Sequence, residues 1–140
     1  MYCYKYPHPA VTVDCIVFNE KDEKLSVLLI KRKNDPFKDC WAFPGGFINI
    51  DESAEEAAIR ELKEETGLLV SNLEQLKAYS DPKRDSRERV ITIAFIAFSE
   101  DEEVIGADDA KEAKWFDISD LPSLAFDHDI ILKDALGRIR

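Results

Sequence analysis

A chain of 140 residues with 45% hydrophobic content is long enough to bury one core and too short to divide comfortably into two, so we expect a single domain over residues 1–140. The formal net charge of -10, from 29 acidic against 19 basic residues, argues against a nucleic-acid partner, because duplex binding draws on a basic face. No apolar run approaches the roughly 20 residues of a membrane helix, and the N-terminus does not resemble a signal peptide, so we expect no membrane partner and a cytoplasmic location.

The beginning of the chain predicts a β-hairpin. Residues 10–18 and 25–32 are rich in β-branched and apolar side chains, and the polar residues 19–22 predict the turn between them. After the short segment Trp41-Ala42-Phe43, the sequence Pro44-Gly45-Gly46 predicts a second turn, because glycine accepts positive φ values. We therefore expect two paired strands and a glycine turn ahead of the first helix.

Residues 51–67 predict that first helix. Ser53 and Glu56 have the spacing of a capping box, and apolar residues follow at helical intervals. Gly67 suits the C-terminal cap, where the backbone commonly turns left-handed.

The second half of the chain predicts further strands and a closing helix. Residues 73–79, 90–98 and 113–116 predict strands, and the second of these is so continuously apolar that we expect burial on both faces. Residues 127–138 place apolar side chains at i and i+4, which predicts an amphipathic helix. Two separate helices among several strands indicate an α/β (α+β) fold with a mixed β-sheet sandwiched between α-helices.

Three glutamates share one face of the first predicted helix. Glu61, Glu64 and Glu65 stand at i, i+3 and i+4, so their carboxylates fall within one arc of the surface. Like charges at this spacing destabilise a helix by roughly 0.2–0.5 kcal/mol per pair, and a divalent cation would remove the repulsion. Such oxygen ligands suit Mg²⁺, with Mn²⁺ as a substitute. The alternative is a solvated acidic face neutralised by Arg60 and Lys63.

The residues around these glutamates form a longer pattern. Gly46 is followed by Glu52 and then by the run Arg60-Glu61-Leu62-Lys63-Glu64-Glu65-Thr66-Gly67-Leu68. This spacing, which covers 23 of the 140 residues, resembles the Nudix box without a departure. The resemblance to Nudix hydrolases implies the Nudix fold and the metal-dependent cleavage of a nucleoside diphosphate linked to another moiety.

The resemblance also implies a role for each polar residue of the box. Glu61 and Glu65 would be principal metal ligands, and Glu64 would be a further ligand or the group that orients or deprotonates the attacking water. The backbone carbonyl of Gly45 would also bind the metal. Three further residues would support the catalytic carboxylates: Arg60, Glu52 and Gly46.

Shorter segments outside the box resemble a subgroup that acts on ADP-ribose. The segments are Thr12-Val13-Asp14, Leu29-Ile30-Lys31-Arg32, and residues 41–47, 81–90 and 124–128. They imply a small-molecule nucleotide substrate, with hydrolysis of ADP-ribose to AMP and ribose 5-phosphate as the leading hypothesis.

Two alternatives stay open, a house-cleaning pyrophosphatase of altered nucleoside triphosphates and a non-catalytic domain that senses ADP-ribose. Sensor relatives carry an added DNA-binding domain. Since this sequence ends at Arg140 and keeps every box glutamate, we expect catalysis.

Candidate substrate-binding residues lie in the second half of the chain. Arg84, Arg87 and Arg89 would clamp a diphosphate, because guanidinium geometry suits phosphate oxygens. The alternative is a solvated loop in which they pair with neighbouring carboxylates. Phe126 and His128 would contact a base or ribose, or else belong to the core.

Three further features have open roles. The tyrosine-rich N-terminus, residues 2–6, would stack on adenine or contribute to a homodimer contact. The acidic loop 100–103 is a candidate source of an auxiliary base. The cysteines form an odd, scattered set that predicts reduced thiols rather than a zinc site: Cys3, Cys15 and Cys40.

Overall fold

The computed structural model describes residues 2–100 and 112–139. Within these residues, seven strands form one sheet, and two helices accompany it. The strands are β1 (Ala10–Lys21), β2 (Lys24–Lys31), β3 (Trp41–Ala42), β4 (Gly45–Phe47), β5 (Glu74–Tyr79), β6 (Val90–Phe98) and β7 (Ala113–Asp117), and the helices are α1 (Ala54–Thr66) and α2 (His128–Ile139). In the described parts of the chain, neither helix is long and apolar enough to cross a bilayer.

The sheet is mixed, and a helix covers each of its faces. β1 runs parallel to β6, and the other pairings are antiparallel. The core between the sheet and α1 contains alternate residues of β1: Val13, Cys15 and Val17. The core between the sheet and α2 contains residues that alternate with them, Ile16 and Phe18. Successive side chains of a strand point to opposite faces, so the predicted sandwich is confirmed.

The hairpin turn lies later than its predicted position at residues 19–22. β1 continues to Lys21, where the register pairs Lys21 with Lys24. The turn consists of Asp22 and Glu23, whose φ values of 53° and 65° match the positive values of a two-residue hairpin turn. The prediction was wrong because ladder pairing uses backbone groups, so polar side chains can extend a strand.

The predicted turn at Pro44-Gly45-Gly46 is also wrong in part, because both glycines belong to β4. Gly45 pairs with Asp14, and Gly46 pairs with Val13. Neither glycine has a positive φ. Each one instead allows a close approach: an added Cβ would lie 2.0 Å from the Val13 carbonyl oxygen at Gly45, and 2.6 Å from Glu61 Oε1 at Gly46.

Helix α1 has the predicted ends. The Ser53 hydroxyl accepts the Glu56 backbone N–H at 3.1 Å, and Glu56 Oε1 accepts the Ser53 N–H at 2.9 Å. Gly67, with φ 79°, donates its N–H to the Lys63 carbonyl. These caps satisfy backbone groups that a helix end leaves unpaired, so the boundaries of α1 follow from local sequence.

The sheet divides where β2 changes its neighbour. β2 pairs with β1 through residues 24–27 and with β3 through Ile30 and Lys31. Residues 12–14 of β1 pair with β4 instead. A cleft opens at this division and is lined from both faces of the sheet.

Ser53→Ala removes the hydroxyl half of the capping box. We expect the free energy of unfolding to fall by about 1 kcal/mol, as is typical when an N-cap acceptor is lost. Urea denaturation measures this change. The control is Ser71→Ala, at an exposed loop position, where a change within about 0.5 kcal/mol is expected. Equal losses in the two variants would contradict a stabilising cap.

Candidate active site

The cleft is lined by both cationic and acidic side chains. Its basic residues are Lys31, Arg32, Lys33, Arg84 and Arg87, and its acidic residues are Asp14, Glu65 and Asp85. The lining therefore has more cations than carboxylates, although the chain as a whole has a net charge of -10. The cleft is therefore suited to an anionic ligand of small size.

Glu65 closes the end of the cleft nearest α1. The residue is only 5% exposed, and its Oε1 accepts the backbone N–H of Gly45 at 3.0 Å. This bond ties the helix to β4 across the narrow gap that the glycines permit. The predicted metal residues Glu65 and Gly45 are thus in direct contact.

Arg60 organises the remaining carboxylates of the box. Its guanidinium donates to Glu52, to Glu61 Oε1 at 2.8 Å and to Glu64 Oε2 at 3.3 Å. It also donates to the Phe47 carbonyl at 3.1 Å. The hydrogen bonds with Glu52, and then those with Glu61, raise the pKa of Arg60, so its charge is permanent. The Arg60 hydrogen bonds in turn lower the pKa of the Glu52 carboxyl.

The three glutamates differ in exposure along the helix face. The side chain of Glu64 is 49% exposed and that of Glu61 is 15% exposed, whereas Glu65 is buried. Glu65 is the member of the trio that lines the cleft. Within residues 2–100 and 112–139, no three acidic, histidine or cysteine side chains are already gathered in the arrangement of a metal site. Arg60 holds Glu61 and Glu64 instead.

His128 begins α2 and borders the cleft from the other face of the sheet. It is 4% exposed, its Nδ1 accepts the Phe43 N–H at 3.1 Å, and its ring stacks on Phe43 with centroids 4.8 Å apart. Burial lowers the pKa of His128, so the imidazole is uncharged at neutral pH. His128 is therefore buried and also lines the cleft, and its contact with a base or ribose stays a prediction.

Arg84 and Arg87 line the cleft with carboxylate partners. Arg84 makes a two-pronged contact with Asp127 at 2.8 and 2.9 Å, and its side chain is 5% exposed. Arg87 contacts Asp85 in the same way at 2.8 and 3.1 Å, but its side chain is 46% exposed. Arg89 is exposed and is not one of the residues that line the cleft. Arg87 is therefore the more accessible of the two arginines in the cleft.

Phe126 brings two arginines from separate loops together. The guanidinium carbons of Arg32 and Arg87 lie 4.9 Å and 5.5 Å from the centre of its ring. The φ of Phe126 is 52°, which is an unfavourable conformation for an aromatic residue. Such strain persists only where surrounding contacts enforce it, as the two cation–π contacts and the neighbouring Phe37 ring do here.

Asp14 and Arg32 line the cleft but were not among the predicted site residues. Each lies in a segment that resembled the ADP-ribose subgroup. The signal that could have found Asp14 is a charged residue inside the apolar strand 10–18. For Arg32 the signal is a cation at the end of a buried strand.

The other open features stay apart from the cleft or outside the described residues. Tyr2, Tyr4 and Tyr6 are 55–71% exposed, and none of them lines the cleft. Positions 101–103 of the acidic loop lie outside the described residues, so its auxiliary base stays a prediction. The three cysteines are free thiols.

A mixed sheet between two helices, with a glutamate-bearing helix beside a cleft lined by several cations, defines an α+β domain with a site for an anionic ligand. Comparison with known families identifies it more closely. The family described as NUDIX domain matches residues 8–135. The chain therefore belongs to the Nudix family, as its box predicted.

Relatives with assigned names extend the comparison. An ADP-ribose pyrophosphatase of Methanocaldococcus jannaschii is 55% identical over 129 residues, which cover 92% of this chain and 74% of the relative. An ADPR responsive transcriptional repressor, NtrR, of Acinetobacter baylyi is 34% identical over 96% of this chain, which spans 56% of the repressor. The crystallised NUDIX domain of Shewanella oneidensis NrtR, complexed with ADP ribose, aligns with a TM-score of 0.90 at 32% identity, covering 96% of this chain and 91% of that domain.

Alanine substitutions at the two β4 glycines should differ in their cost. Gly45→Ala meets the Val13 backbone, which cannot move without disturbing the β1–β4 pairing, so we expect the free energy of unfolding to fall by about 1–3 kcal/mol. Gly46→Ala meets the carboxylate of Glu61, the end of a flexible side chain, so we expect a loss below about 1 kcal/mol.

Thermal and urea unfolding measure both effects. Gly137→Ala is the matched control, because it lies within α2 with no atom in the way of the new methyl group. This control should keep or raise stability, since alanine favours a helix. A Gly45→Ala variant as stable as Gly137→Ala would contradict the close approach.

Proposed function

We propose that the chain hydrolyses the diphosphate bond of ADP-ribose, yielding AMP and ribose 5-phosphate. The main support is the cleft itself, whose lining combines Glu65 with the cations Arg32 and Arg87, which both contact Phe126. A diphosphate needs cations along its oxygens, and a hydrolase needs carboxylates beside the reacting phosphorus. The named activity of the Methanocaldococcus jannaschii relative supports the choice of substrate.

The donor set suits Mg²⁺, with Mn²⁺ as a substitute. Nudix hydrolases generally depend on a divalent metal. Glu61, Glu64 and Glu65 would hold it together with the carbonyl of Gly45, and all of these donors are the hard oxygens that Mg²⁺ prefers. When bound, the metal neutralises phosphate charge and lowers the pKa of water.

The residues of the chain divide the remaining tasks. Glu64, the most exposed of the trio, would be a further ligand or the group that orients or deprotonates the attacking water. Arg60 and Glu52 position the carboxylates through the contacts described above. Arg84 and Arg87, each fixed by an aspartate, would present their outer N–H groups to the phosphates.

The proposed activity agrees with the partners expected from the sequence. Its substrate is a small nucleotide, and we propose no nucleic-acid partner, a cytoplasmic location and a single domain. A homodimer through the exposed tyrosines of the N-terminus is compatible with this activity. Phe126 and His128 would form the part of the wall that meets the base or a ribose, whereas Arg89 has no part in the cleft.

A sensor without catalysis is the second candidate, and the similarity to the Acinetobacter baylyi repressor favours it. A pyrophosphatase of altered nucleotides is the third. A putative 8-oxo-dGTP diphosphatase of Bacillus subtilis is 44% identical, but over only 49% of this chain.

A substrate panel separates these candidates. The purified protein, incubated with Mg²⁺, is expected to release AMP from ADP-ribose with a kcat/KM at least about tenfold above that for other nucleoside diphosphate sugars. Chromatography of the products measures the reaction. Preference for 8-oxo-dGTP would show that altered nucleoside triphosphates, and not ADP-ribose, are the substrate. Tight binding of ADP-ribose without turnover would show that the protein is a sensor.

Glu65→Gln tests the metal-binding role. The amide cannot supply an anionic ligand, so metal-dependent turnover should fall by more than about 100-fold. That loss exceeds the roughly 10–100-fold effect of replacing a residue that only orients a metal ligand. Its carbonyl oxygen can still accept the Gly45 N–H, so the melting temperature should change little. Glu55→Gln, on an exposed turn of the same helix, is the control and should keep full activity. Preserved turnover with a large loss of stability would show that Glu65 stabilises the fold and does not bind the metal.

A further inference from the structure

The proposed reaction gives no task to one carboxylate of the cleft. Asp14 lies within β1, its side chain is 11% exposed, and it lines the cleft. A carboxylate that is this little exposed is costly unless hydrogen bonds compensate it. The contacts of its two oxygens therefore indicate what it does.

The two oxygens have different surroundings. Oδ2 accepts the Thr92 hydroxyl at 2.7 Å, which fixes the orientation of the carboxylate. Oδ1 lies 3.6 Å from His128 Nε2, beyond hydrogen-bond distance, and beside Gly45, where a built Cβ would lie 3.0 Å from it. Within the described residues Oδ1 accepts no hydrogen bond. This oxygen is thus held in place with capacity to accept a donor.

The neighbours of Asp14 do not neutralise it. His128 is uncharged because it is buried, and its Nδ1 is already committed to the Phe43 N–H. Asp14 shares the α2 face of β1 with Ile16, whereas Glu65 projects from α1 on the other side of the sheet. Asp14 and Glu65 therefore approach the cleft from opposite faces of the sheet.

The charge of Asp14 restricts which part of a ligand it can contact. A carboxylate repels phosphate oxygens, which the guanidinium groups of Arg32 and Arg87 would attract. It binds favourably to an uncharged hydrogen-bond donor, and bonds to charged acceptors are stronger than neutral ones.

We propose that Asp14 Oδ1 accepts a hydrogen bond from an uncharged donor of the substrate, a ribose hydroxyl or the amino group of the base. This selection rests on the proposed function. Asp14 is then a specificity-determining residue, because a buried acceptor rejects an analogue that lacks its donor.

Asp14→Asn tests this role with little change in shape. The amide oxygen can keep the Thr92 hydroxyl, which places an NH₂ group where Oδ1 met the ligand. The probes are ADP-ribose and three analogues, which lack a hydroxyl of the adenosine ribose, a hydroxyl of the terminal ribose, or the adenine amino group.

Wild-type protein should prefer ADP-ribose over one analogue by at least about tenfold in kcat/KM, and that analogue identifies the donor. Asp14→Asn should reduce this preference to less than about twofold, while the rate with the analogue stays near its wild-type value. Thr92→Val removes the hydroxyl that fixes the Asp14 carboxylate, so this variant should lose part of the preference. It replaces Asp14→Asn as the test if Asp14→Asn does not fold.

Asp134→Asn is the matched control. Asp134 also accepts a hydroxyl, that of Tyr79 at 2.8 Å, but it does not line the cleft. This variant should keep the wild-type preference. The same preference in wild type and Asp14→Asn would overturn the proposal, and so would an equal fall in rate for every substrate, which would make Asp14 a positioning residue.

Failure of the proposed function gives a different result. If wild-type protein does not hydrolyse ADP-ribose, calorimetric titration with the same four ligands still measures whether Asp14 selects a donor. A loss of selectivity in affinity on Asp14→Asn would support the assignment without catalysis, and unchanged selectivity would overturn it.

Discussion

The hydrogen bond from the Gly45 N–H to Glu65 Oε1 is the contact on which the site depends. It can form only where β4 passes within backbone contact of β1 and within side-chain contact of α1, and any Cβ at position 45 or 46 would occupy that space. The two glycines are therefore needed because they lack a side chain, which lets β4 lie close to both β1 and α1. Because the same segment continues from Phe43, which donates to His128, one short stretch of backbone connects both helices to the cleft.

The charge of the cleft lining differs in sign from the net charge of the chain. An acidic chain would repel a diphosphate, yet the cleft has cations from two loops that converge on Phe126. Asp127 and Asp85 fix two of the arginines without removing them from the cleft. On the α1 side Arg60 has the reverse task, since one guanidinium holds several carboxylates that would otherwise repel one another. Arg84 and Arg87 in the cleft, and Glu61 and Glu64 on α1, are thus each held by a partner of opposite charge.

The parts of the molecule governed by local chemistry were predictable from sequence, and those governed by distant contacts were not. The caps of α1 and the strand 90–98 follow from neighbouring residues, and the box identified the family from its spacing. The turn predicted at Pro44-Gly45-Gly46 was wrong in part because a glycine can be required either for a positive φ or for a close approach of other atoms. The sequence does not show that Glu61 lies close to Gly46, so it does not distinguish the two requirements. The partners of Arg84 and Asp14 lie 43 and 78 positions away, so no local pattern marks them.

The parallel pairing of β1 with β6 has a consequence for how the protein folds. Ala10 pairs with Val90, 80 positions later, whereas the hairpin of β1 and β2 closes over two residues. Chain closure over that span costs entropy before any contact offsets it, so long-range ladders form slowly compared with hairpins. The cleft is lined by residues of β1 and β2, which the hairpin joins, and by Val90 of β6, which the long-range ladder joins to β1. The lining of the cleft is therefore complete only once the long-range β1–β6 ladder has placed Val90 beside β1.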